Sequence, residues 1–242
     1  MTFISHLAAS LAIVAFSLSA VAAEPMSTAT MFARMSALAS TGNADIHYNL
    51  GMFLNNGIGT RADPAAAFKH FSAAAAAGHV LAAFKVGCYL DGQFPGTVTV
   101  DRAEAMKFKL RAAEAGYALA QYDVGLHYAR LGDAANARLW WERASQQGEL
   151  LSTAVLAQQW SAEASPDKVK GYALMLLVQA QLPKVPPELT ARIDQVGAQL
   201  SPEDKAAADT LRASWVTGET PLTQQAKATV GAVPALIASL EH

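Results

Sequence analysis

The sequence predicts an all-α fold, a right-handed α-solenoid of antiparallel helix pairs, and two observations predict it. The first is a spacing. An aspartate is followed fifteen residues later by a glycine and nine residues after that by a second, at Asp63, Gly78 and Gly87, then Asp101, Gly116 and Gly125, then Asp133 and Gly148 with Ala157 in the last place. The second is that each copy contains two apolar-periodic segments with helix start and stop signals. One such unit cannot bury its apolar face alone, so stacked neighbours must complete the core.

The chain opens with an uncharged apolar run from Leu7 to Ala23 that ends in the small residues Ala20, Ala22 and Ala23. This is the layout of a secretory signal, so residues 1–23 are expected to be a leader cleaved after Ala22 or Ala23, and the protein periplasmic or secreted. A retained membrane anchor is the lesser alternative, because the run is at the short limit for a span and includes Ser10, Ser17 and Ser19. Residues 24–41 are expected to form an N-terminal capping helix around Met31 to Ser40.

Residues 42–182 hold the units: 42–77, 78–115, 116–147 and a degenerate 148–182. The first helices align as ADIHYNLGMFL, VLAAFKVGCYL, ALAQYDVGLHY and LLSTAVLAQQW. Gly51, Gly87 and Gly125 fall at one position inside them, where glycine costs about 1 kcal/mol against alanine. A cost repeated in register implies close approach of the partner helix. Second helices begin after Asp63, Asp101 and Asp133, whose carboxylates suit an N-cap, and Pro64 suits the first helical turn. Gly78, Gly116 and Gly148 are placed for left-handed C-terminal caps. Ala67, Ala105 and Ala137 allow helices to meet closely, with His70, Phe108 and Trp140 expected to fill the next layer. In the fourth unit Ala157 and Gly171 replace framework positions and Asp167 begins the second helix.

Residues 183–216 read as C-terminal capping helices, Pro187 to Leu200 and Ser201 to Trp215, the latter with Ser201 as N-cap and Pro202 behind it. The tail, 217–242, is broken by Gly218, Pro221, Gly231 and Pro234, and Ala232 to Leu240 is either a short docking helix or mobile.

The glycine and alanine framework, the aromatic residues ahead of Gly87 and Gly125, and the Ala112 to Gly116 ending resemble Sel1-like repeats, relatives of the tetratricopeptide repeat, over about residues 42–182. That resemblance implies an adaptor or scaffold that holds a protein or peptide. Some secreted relatives with cystine-stapled repeats are linked to penicillin binding or β-lactam hydrolysis. The alternative is therefore a cell-envelope enzyme or a peptidoglycan-associated factor, although this chain has only Cys88.

The residues themselves show no catalytic constellation. A net charge of -2 gives no electrostatic argument for nucleic acid or anionic lipid. No two histidines stand three or four residues apart, so no metal or cofactor is expected. Cys88 has no internal disulfide partner and reads as a small apolar helix residue. What remains is a stripe of first-helix positions outside the packing register: Asn49 with Phe53, Lys85 with Tyr89, Asp123 with His127, and Val155 with Gln159. First helices line the concave wall of such solenoids, so Asn49, Phe53, Lys85, Tyr89, Asp123 and His127 are the expected partner-binding row. Of the tryptophans, Trp140 and Trp160 are expected to fill the core, and Trp141 is the one most free to be exposed.

Overall fold

The structure, a computed structural model, describes residues 25–162, 167–228 and 230–241. The leader expected over residues 1–23 lies outside the described residues. Within them the chain is helical, with no strand. Helix α1 (Thr28–Leu38) precedes four antiparallel pairs: α2 (Ala44–Asn56) with α3 (Pro64–Ala76), α4 (Val80–Leu90) with α5 (Arg102–Glu114), α6 (Ala118–Arg130) with α7 (Ala134–Gln146), and α8 (Leu150–Trp160) with α9 (Lys168–Gln181). Each helix packs on the next in chain order through all four pairs, which makes the array an α-solenoid. Helices α10 (Pro187–Gly197) and α11 (Pro202–Trp215) then pack on α9, and α12 (Pro221–Lys227) and α13 (Val233–Leu240) complete the chain. Among the described residues no helix is long and apolar enough to cross a membrane.

The repeated aspartates act as their type dictates. Asp63, Asp101, Asp133 and Asp167 cap the second helices, accepting the backbone N–H of Ala66, Glu104, Asn136 and Lys170. Gly78, Gly116 and Gly148 turn the chain into the following first helix with φ of 98°, 95° and 84°.

The glycines inside the first helices mark where paired helices touch. A Cβ at Gly51 would stand 2.6 Å from the Phe71 ring, one at Gly87 2.9 Å from the Ala105 carbonyl and from Lys109 Cγ, and one at Gly125 2.4 Å from Trp141 Nε1. Phe71, Lys109 and Trp141 each stand seven residues before the closing glycine of their unit. They therefore form the layer that fills the helix contact, with Ala67, Ala105 and Ala137 fully or almost fully buried beside them. This corrects the expected register by one residue: His70 and Phe108 are only half-buried, while Trp140 is buried as expected. Trp141 is likewise not exposed. It is 3 % accessible and its Nε1 donates to the Tyr122 carbonyl at 3.2 Å.

The tail is docked. From Trp215 it runs back along the turns that join one unit to the next, and α13 packs against α1 and α2 at the opposite end of the array. Val233 and Ile237 are fully buried there, among Met31, Met35, Ile46, Leu50 and Phe53. Some twenty-five residues of tail thus span from the fourth unit back to the first.

Candidate binding surface

The expected stripe does not survive as one surface. Phe53 and Tyr89 are 1 % and 0 % accessible, so they are core residues and unavailable to a partner. Tyr89 stacks on Phe94 and its hydroxyl donates to Asn55 Oδ1 at 2.7 Å. One turn further along the first helix the stripe is covered by other parts of the chain: Tyr89 by Phe94 of the connecting loop and by Phe68 and Phe71 of α3, and Phe53 by α1 and α13. Asn49 donates to the Asp45 carbonyl at 2.8 Å and lines a cavity with Tyr48 and His79. Lys85 is half-buried. Asp123 and His127 are brought together, but in a different setting.

That setting is a buried ion network. At the position where the first and third units carry Phe71 and Trp141, the second carries Lys109. Its Nζ lies 2.7 Å from Asp91 Oδ2 and 2.8 Å from Asp123 Oδ2, with the side chain 7 % exposed. Burial presses the Lys109 ammonium toward its neutral form, but the charges and hydrogen bonds of Asp123 and Asp91 outweigh it and hold its pKa above the ordinary lysine value. Arg102, His127 and Arg130 complete a small cleft over this triad. Asp123 is therefore an internal counter-ion and not a free contact. Cys88 is buried nearby, and burial pushes its thiol up to about 12, which leaves it unreactive. Trp160 is half-buried with Arg138 and Lys170 over its ring at 5.0 and 4.7 Å. Among the described residues no group of three or more His, Cys, Asp or Glu side chains could hold a metal.

A second polar feature lies along the inter-unit turns. Asn43, His79 and Glu149 cap the first helices α2, α4 and α8 with their own side chains. Helix α6 starts at Tyr117, which supplies no such cap. The tail supplies it: Thr223 Oγ1 accepts the Ala118 N–H at 3.1 Å and donates to Gln147 Oε1 at 2.8 Å. Thr220 Oγ1 donates to the Gly116 carbonyl at 2.8 Å, while its N–H reaches Gln147 Oε1 at 3.1 Å. Gln147, itself buried, donates to the Gly116 carbonyl and to Gln121 Oε1. Further back, the Thr217 N–H donates to the Gln146 carbonyl at 2.8 Å, and Trp215 Nε1 donates to Ser145 Oγ at 2.7 Å. Sequence reasoning missed this track. Its one legible sign was that Tyr117 stands where the other units have a capping side chain.

His79 carries a pH dependence. Its Nδ1 accepts the Ala82 N–H at 3.1 Å, so that nitrogen must be unprotonated for the cap to exist. Burial holds the His79 pKa below its ordinary value although Asp45, 3.3 Å from Nε2, favours the cation. His70 is lowered in the same direction, by burial and then by His47, whose Nδ1 lies 2.9 Å from its own. Both groups bind protons less readily folded than unfolded, so their contribution to stability is present above the unfolded pKa of about 6.5 and is lost as pH falls below it. The urea midpoint is expected to drop between pH 7.5 and 5.5. His79→Asn, which keeps a capping oxygen and removes the titration, is expected to flatten that drop; an unchanged slope would refute the assignment.

Comparisons with known proteins agree with this architecture. The Sel1 repeat family model matches residues 44–79, 80–117 and 118–149. The chain is similar in fold to a Sel1 repeat protein from Oxalobacter formigenes, with a TM-score of 0.58 at 22 % identity over 75 % of this chain and 77 % of that one. It is also similar to a protective antigen of uropathogenic Escherichia coli with an SLR fold, with a TM-score of 0.50 at 18 % identity over 87 % of this chain. It spans about half of that antigen, 52 % of its length. No curated protein sequence matches the chain.

Proposed function

From a chain whose residues 44–149 are three Sel1 repeats, we propose an exported adaptor that holds a protein or peptide partner along its helical array. Sel1 solenoids commonly serve as scaffolds for protein interactions, and the leader-like residues 1–23 are the support for export. The observation that carries the reading is the docked tail. The array's inter-unit turns bind the start of a short helix, α12, through the Gly116 carbonyl, the Ala118 N–H and Gln147, and its end accepts the apolar side chains of Val233 and Ile237 from α13. These are the main-chain contacts and apolar anchors by which peptide-binding surfaces work.

Photo-crosslinking amino acids at Asn49 and Leu119, which line the track, and at Lys107, exposed on α5, test the reading in the native compartment. The same adduct from both track positions and none from Lys107 is the expected result. Adducts of equal yield from all three, or from none, would sink it.

A further inference from the structure

The tail fills its track incompletely. A cavity of about 210 Å³ remains beside α12, between Ala226 and Lys227 of the tail and Tyr117, Leu119 and Glu149 of the array. A second, of about 200 Å³, remains where Ala228 and Ala232 pass Asp45, Tyr48 and His79. Beside Glu219, Gln225, Lys227 and Leu236 the tail offers only the methyls of Ala226, Ala228 and Ala232 to these spaces, while the array presents aromatic rings and an exposed leucine. Of α12 only Thr223 is buried. The tail is held at its two ends, by the Thr220 and Thr223 hydroxyls with Leu222 and by the α13 cluster with the Arg34–Glu241 pair, and space for a better ligand is left open between them.

Building on the proposed partner binding, we infer that the tail is a displaceable internal ligand. The segment that replaces it has two hydroxyl side chains three residues apart and bulky apolar groups in place of Ala226 and Ala232. Thr220 and Thr223 define the hydroxyl spacing, because they serve the Gly116 carbonyl and the uncapped start of α6. A tethered tail competes at an effective concentration on the order of millimolar, so only a segment that fills the track better can displace it.

The probe is a labelled synthetic peptide of residues 216–240 with Ala226→Leu and Ala232→Leu, titrated against the full chain. It is expected to bind roughly tenfold more tightly than the unsubstituted peptide, because the added methylenes enter the cavities. Thr223→Ala in the peptide should weaken it roughly tenfold, as expected for a lost polar anchor. Hydrogen exchange of the protein's own residues 217–228 should accelerate when the peptide is bound. Equal binding of the two peptides, or binding that leaves the protein's own tail protected, overturns the inference. Neither result bears on the crosslinking experiment, which reports whether a partner exists at all.

Discussion

Replacing Lys109 with methionine is expected to destabilise the protein by about 3 kcal/mol, although methionine fits the space and is more apolar. The reason lies in what it leaves behind. Asp123, 16 % exposed, would lose its buried cation, and Asp91, 22 % exposed, would keep only the largely exposed Arg102, 3.8 Å away. Neutralising them as well, in Lys109→Met with Asp91→Asn and Asp123→Asn, is expected to recover most of the loss, since a buried ion network is commonly replaceable by neutral groups of similar volume. Urea denaturation of the single and triple variants measures both. A single variant within about 1 kcal/mol of the parent would show that the triad is a surface pair of little consequence.

Trp215→Ala is expected to cost about 3–5 kcal/mol, the range for deleting a buried tryptophan. Trp215 is 7 % accessible, packs in the cluster that joins α7, α8, α9 and α10, and donates to Ser145 Oγ, which also bonds Thr153 Oγ1 at 2.8 Å. Lys170 Nζ lies 5.1 Å from its ring. In a solenoid each element is supported mainly by its neighbours, so the damage should spread from the C-terminal end through the tail and leave the contacts within the first two pairs, α2 with α3 and α4 with α5, protected. Circular dichroism during urea denaturation should show the lost stability, and hydrogen exchange should show fastest exchange in α10, α11 and the tail. Uniform loosening of the whole chain would contradict the stacked description.

The helix pairs were legible in the sequence because their determinants are local. Aspartate at an N-cap, glycine at a left-handed cap and glycine inside a helix each act within a few residues, and three copies in register reinforce one another. The partner-binding stripe was not legible to the same degree. Helical periodicity identifies a face but not what later folds over it, so Phe53 and Tyr89, on the right face by angle, lie beneath connecting loops and tail. Lys109 was readable in principle, as a charge in the register of Phe71 and Trp141, once the layer was counted from the closing glycine. The tail's path was not readable, since its contacts join residues about a hundred positions apart, as Thr220 to Gly116 does.

The turns of the array hold the tail at the start of α12, and the amide of Ala118 reports on that contact. As the first residue of a helix without a side-chain cap of its own, it has Thr223 Oγ1 of the tail as its hydrogen-bond acceptor among the described residues. Hydrogen exchange resolved to single amides in the full chain is expected to show Ala118 protected, and that protection lost in Thr223→Ala. The Ser152 amide, held at 2.6 Å by Glu149 within the array, should be unchanged. An Ala118 amide that exchanges at the same rate with and without the Thr223 hydroxyl would contradict the account.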